Sequence, residues 1–219
     1  MSTTVDEEKT TLDDVRRRLE ATDLIPSHEP LLEGISRRFA ALERCGCRSQ
    51  QNLRARLKNA KAVAALAKDT GIPGQYLTVL RRAVEGFFPK PQPWAAFPWL
   101  PVGTIAKLET VGLQTTDELH HAARRGRAAL ARKTGLPAKD LAEALALSDL
   151  SRIQWVSPNV ARTLVAAGFA RASEVASANP ESLCQTVAEI NQGRGFYKGK
   201  IGLRDIKRLI VAASYVPES

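Results

Sequence analysis

Ile105-Ala106-Lys107-Leu108-Glu109-Thr110-Val111-Gly112-Leu113-Gln114-Thr115-Thr116-Asp117-Glu118-Leu119 holds the end of one helix, a stop and the start of another. Ile105 and Leu108 are spaced to share one helix face. Gly112 is placed to end that helix in the left-handed conformation that only glycine enters without a steric cost. Leu113 then tucks back, and Thr115 with Glu118 forms a capping box for the next helix. The same reading applies at Gly46 and Gly168, which lie 66 and 56 residues from Gly112. Seven residues before the three glycines stand Phe39, Ile105 and Ala161, and four before stand Leu42, Leu108 and Leu164. Cys47, Leu113 and Phe169 follow directly, and Leu53, Leu119 and Val175 stand seven after. Ser49, Thr115 and Ser173 (beside Glu174) are the expected helix starters.

A second phrase repeats. Lys68-Asp69-Thr70-Gly71-Ile72-Pro73 matches Arg132-Lys133-Thr134-Gly135-Leu136-Pro137, with glycine ending one helix and proline opening the next. In the third copy its place is taken by Ala178-Asn179-Pro180-Glu181-Ser182-Leu183. The run Pro89-Lys90-Pro91-Gln92-Pro93 cannot be helical, and Trp94, Phe97 and Trp99 after it are expected to lock the connection onto the core. Thr10 to Ala21 reads as a charged helix with Leu12, Val15 and Leu19 on one stripe. The chain is therefore expected to be all-α, with a charged N-terminal arm over 1–30 and repeated units over 31–93, 94–153 and 154–219.

Composition sets outer bounds. No apolar run approaches the roughly 18 residues that cross a bilayer. Met1 to Lys9 is acidic and lacks the apolar stretch of a signal peptide, so a cytoplasmic location without a membrane partner is expected. Cys45, Cys47 and Cys184 lack the companions that a zinc site needs, and they read as small buried side chains. The net charge of +9 is uneven: residues 1–30 carry 4 basic and 8 acidic side chains, whereas residues 31–98 carry 12 and 4. A basic surface favours phosphate backbones and also keeps a protein in solution.

Leu32-Glu33-Gly34-Ile35, leading to Phe39, Leu42 and Gly46, resembles a helix-hairpin-helix element. In that family an apolar-x-Gly-apolar-Gly hairpin joins two helices, and its backbone amides hold a DNA phosphate. Leu100-Pro101-Val102-Gly103 and Gln154-Trp155-Val156-Ser157 are the corresponding stretches. None keeps both glycines: the first has Gly34 then Ser36, the second only Gly103, the third neither. More broadly, the chain is similar over residues 22–213 to an uncharacterised bacterial family of domains of unknown function with tandem helix-hairpin-helix-like units. The likeness runs through Thr22-Asp23-Leu24-Ile25-Pro26, Tyr76-Leu77 to Arg81-Arg82, Phe88-Pro89-Lys90-Pro91 and Asn179-Pro180-Glu181-Ser182-Leu183. It implies the fold and no activity.

Phosphate contacts are expected at Gly34, Ser36, Arg37 and Arg38 around the first hairpin, and at Arg54, Arg56 and Lys58 after the first capping glycine. Arg124 and Arg125 stand at a similar place in the second unit. Gly193-Arg194-Gly195-Phe196-Tyr197-Lys198-Gly199-Lys200 interleaves glycine, base and aromatic in the manner of a nucleic-acid contact loop, with Arg194, Lys198 and Lys200 as its cations; the alternative is a flexible connection. It is not a P-loop, because Ile201 stands where Ser or Thr would hold magnesium. His120 and His121 are adjacent and diverge by about 100° on a helix. Asp117 and Glu118 upstream are accounted for by capping. No catalytic, metal or cofactor site is expected. The sequence favours a non-enzymatic binder of DNA backbone, with a protein-interaction scaffold as the alternative.

Overall fold

A computed structural model describes residues 10–217, so the acidic start read above, Met1 to Lys9, lies outside the described residues. Among them thirteen α-helices and two short 3-10 turns form, and there is no strand. None of these helices is long and apolar enough to cross a membrane. The chain divides into two units, residues 10–88 and 89–217, each with its own core.

In the first unit, α1 (Leu12–Ala21) starts at a capping box between Thr11 and Asp14 and buries Leu12, Val15 and Leu19. Then come α2 (Ile35–Arg44), α3 (Gln50–Leu57), α4 (Ala60–Thr70) and α5 (Gly74–Glu85). The second unit opens on the proline run, after which Trp94 and Phe97 are fully buried and the Trp94 indole donates to the Leu113 carbonyl (2.7 Å). It continues as α6 (Val102–Thr110), α7 (Thr116–Arg125), α8 (Arg127–Thr134) and α9 (Ala138–Leu150), then α10 (Pro158–Ala166), α11 (Ala172–Ala176), α12 (Pro180–Arg194) and α13 (Leu203–Ser214). Helix α9 buries every residue from Ala146 to Leu150, as a central helix must.

The three glycine turns are the same object. Gly46, Gly112 and Gly168 have φ of 86°, 78° and 91°. The glycine amide donates back to Glu43, Glu109 and Val165 at 2.9, 2.9 and 3.0 Å, and the next amide donates to Leu42, Leu108 and Leu164 at 3.1, 3.0 and 3.0 Å. That pair of bonds is a Schellman cap, which satisfies the last carbonyls of the ending helix. Gly71 and Gly135 end α4 and α8 in matching fashion, with Thr70 and Thr134 each bonding back one turn to Leu66 and Leu130.

The first amide of the helix after each Schellman turn also needs a partner. Gln50 donates to the Thr10 carbonyl and Thr116 to the Gln92 carbonyl, both at 2.9 Å. After the third turn, Ala172 donates instead to the buried carboxylate of Asp149 (2.7 Å). The third helix start also differs from expectation. Ser173 lies inside α11, the N-cap is Arg171, and Glu174 takes the amides of Ala170 and Arg171 at 2.7 and 3.1 Å.

Candidate functional site

Asp149 organises a buried polar cluster inside the second unit. Beyond the α11 amide, it accepts from Arg152 (2.6 Å), whose other terminal nitrogen donates to the Pro217 carbonyl (2.7 Å). His120 comes in from α7 with Nδ1 3.6 Å from the same carboxylate and only 5% of its surface exposed. Burial, reinforced by the Arg152 guanidinium and partly opposed by Asp149, pushes the His120 imidazole down to about 4, so it is neutral near pH 7. The carboxylate beside Nδ1 favours the proton there, which makes Nε2 an acceptor. Nε2 is buried and has no hydrogen-bond partner.

His120 stands in the wall of a cleft of about 640 Å³. The exposed Arg124, Arg127 and Arg171 line it with Ser173 and Glu174, while Ala142, Leu145, Ala146, Val216 and Pro217 supply an apolar side. The elements that hold it are α7, the start of α8, the outer face of α9, the turn into α11 and the chain after α13.

Elsewhere in this unit, the glycine-rich segment is more ordered than its composition suggests. Gly193 belongs to α12, and the loop begins at Gly195, a left-handed cap with φ 61°. Asn191 clamps it by donating to the Tyr197 carbonyl (3.1 Å) and accepting from the Tyr197 amide (3.0 Å). Phe196 stacks on the Arg162 guanidinium at 4.1 Å, and the same guanidinium lies 4.6 Å from the Trp99 ring. The aromatics face the protein. Arg194, Lys198 and Lys200 are left exposed, and none has a carboxylate partner among the described residues.

The first unit uses three of its five expected contact cations internally. Arg38 donates to the Glu33 carbonyl (2.6 Å) and stacks on Tyr76. Arg54 pairs with Glu85 and covers Phe88, and Arg56 pairs with Asp69. Ser36 lines a groove that Asp13 and Glu43 share with Arg16 and Arg48. Gly34 is left-handed (φ 54°), and Arg37 and Lys58 are exposed. In the turn before α10, Trp155 is also left-handed at φ 69°, with 54% of its surface exposed. Arg124 and Arg125 are exposed at the end of α7.

Sequence reasoning did not single out Asp149, Arg152, Arg162 or Arg171; Asp149 and Arg152 pair locally, whereas their bonds to Ala172 and Pro217 and the Arg162 stack on Phe196 join distant residues. One signal was available: Asp149 and Arg152 stand three apart after the apolar run Leu145-Ala146-Leu147, a pattern that asks where a buried charge finds its partner. Glu118 completes the expected capping box, whereas Asp117 lies 3.4 Å from His121. Cys47 is fully buried, and burial raises its thiol; Cys45 donates to the Asp69 carbonyl.

A family model described as a domain of unknown function (DUF4332) matches residues 103–215, just over half of the chain. The chain belongs to this family. The match runs from α6 through α13, so the DUF4332 segment holds the clamped loop, Asp149 with His120, Arg152 and Ala172, and the lining of the arginine-lined cleft apart from Val216 and Pro217. The wider likeness read from residue 22 onward is matched only from residue 103. No curated protein and no solved structure matches the chain.

Proposed function

We propose that the protein is a non-enzymatic binder of nucleic-acid backbone, and that its DUF4332 segment carries the contact. The observation that supports this reading is the clamped loop after α12. Asn191 and the Phe196–Arg162 stack hold its backbone, so Lys198 and Lys200, beside Arg194 at the end of α12, are presented without a compensating carboxylate. A preformed cationic loop loses little conformational freedom when it meets a phosphate chain. Residues 89–217 carry 17 basic against 10 acidic side chains, which adds a long-range attraction of the same sign. Contact through phosphates alone implies little preference for base sequence.

Fluorescence anisotropy with a labelled duplex tests this. Three phosphate contacts imply a log K versus log salt slope of about −2.7. The double variant Lys198→Ala, Lys200→Ala is expected to reduce that slope by about 2. A slope unchanged by the variant removes the loop from the interface.

A protein partner is the second reading. It is favoured by Trp155, half-exposed on a left-handed backbone, and by Val102 at 83% exposure. Recovery of one stoichiometric protein that survives nuclease treatment, and is lost in Trp155→Ala, selects it.

A further inference from the structure

The arginine-lined cleft is built differently from the loop. We infer that it is a binding site for an organic phosphomonoester of about mononucleotide size, with the phosphate held by Arg124, Arg127 and Arg171 and the organic body on the apolar side against Leu145 and Val216.

Three features set this ligand class. The first is charge. Arg124, Arg127 and Arg171 bring three positive charges, and Glu174 returns one negative charge while capping α11 with the same carboxylate. Asp149 is already matched by Arg152, and His120 is neutral. Two positive charges remain, which matches the dianion of a phosphomonoester better than the single charge of an internal diester. Guanidinium forks are also the side chains best shaped for phosphate oxygens.

Size and shape come second. At about 640 Å³ the cleft is far larger than a bare phosphate and falls within the range of small-molecule sites. One side is apolar, from Ala142 and Leu145 on α9 to Val216 and Pro217, so an inorganic ion would leave that wall uncovered. The Arg152 bond to the Pro217 carbonyl ties the end of this wall to the buried cluster.

The third feature is the buried Nε2 of His120. It is an acceptor without a donor, in a residue of the cleft wall. A buried polar atom left unpaired is destabilising, and because Nε2 is closed off from the open cleft, a ligand hydroxyl or N–H supplies the missing bond only when the imidazole turns toward it. A ligand that presents phosphate oxygens to the arginines and a donor group to His120 satisfies both halves of the site.

The test uses the full chain with AMP as probe, beside adenosine and inorganic phosphate, read by isothermal titration and thermal shift. AMP is expected to bind and to raise the melting temperature, adenosine to do neither, and phosphate to bind more weakly than AMP. Arg124→Gln with Arg127→Gln, both on the surface, is expected to weaken AMP by about tenfold or more. The imidazole nitrogen resonance of His120 is expected to move on AMP addition and not on adenosine addition. A 5′-phosphorylated oligonucleotide that competes with AMP, while its 5′-hydroxyl counterpart does not, would identify the source as a strand end. Failure of both to compete would identify a free phosphomonoester. Lys198→Ala with Lys200→Ala leaves AMP binding unchanged, which separates this site from the loop. The inference is overturned if AMP at about 10 mM gives no signal, if adenosine binds as well as AMP, or if the arginine variant binds AMP like the parent.

Discussion

Acid destabilises the second unit through His120 in a calculable way. Its folded-state value of about 4 lies below the 6.5 of an exposed histidine, so between those values the unfolded chain holds a proton that the folded chain excludes. Stability from this residue is present above pH 6.5 and is lost as pH falls toward 4. Between pH 7 and pH 4.5 the loss is roughly 2 kcal/mol, from the proton-binding difference integrated over that interval. His28 is also pushed down, by burial and then by Arg82, and contributes with the same sign, so the comparison must be with a variant. His120→Gln keeps a polar group of similar reach that does not titrate. The assay is urea unfolding followed by tryptophan fluorescence. Trp94, Trp99 and Trp155 all lie in residues 89–217, so the signal reports that unit alone. The parent is expected to lose about 2 kcal/mol more than His120→Gln over the interval. Parallel pH profiles for the two proteins would refute the assignment of a neutral, buried imidazole.

Asp149→Asn leaves Arg152 buried without its charge partner and weakens the bond to the Ala172 amide, so it is expected to cost about 3–5 kcal/mol in the same unfolding assay. Gly46→Ala, Gly112→Ala and Gly168→Ala test the equivalence of the three turns. An added Cβ meets no atom within 4 Å at any of them, so the cost is the left-handed backbone alone. It is expected to be about 1–2 kcal/mol each and similar across the series. Circular dichroism reports the first and tryptophan fluorescence the other two, and a cost more than twice that at one turn would show that it is not the same object. Trp155→Gly relieves the same strain at φ 69° and removes a half-exposed ring, so stability is expected to stay within about 1 kcal/mol of the parent; a loss beyond about 3 kcal/mol would mean that the ring is core.

The helical architecture was legible because it rests on local chemistry. A glycine flanked by apolar residues four before and one after is placed to end a helix, and Gly46, Gly112 and Gly168 close with the same pair of hydrogen bonds. Thr115 with Glu118 is likewise settled within four residues. The third helix start falls at Arg171 and not at Ser173 because the Glu174 carboxylate caps it without a Ser or Thr at the N-cap, while the Ala172 amide goes to Asp149, 23 residues away. The cations show the same divide. Arg54 and Arg56 look like an exposed basic run, yet Glu85 and Asp69 reach them from α5 and α4, and only packing brings those carboxylates near. Phe196 reads from composition as a base-stacking ring, yet Arg162, 34 residues earlier, lies against it. Charge runs show where cations are, whereas their availability depends on partners distant in sequence.

Duplex binding as a function of salt, measured for the parent and for Lys198→Ala with Lys200→Ala, tests the central claim most directly. The account predicts clear binding at about 50 mM salt that falls with a slope near −2.7 in the parent and near −1 in the variant. Absence of duplex binding at that salt, or parent and variant curves that coincide, would contradict it.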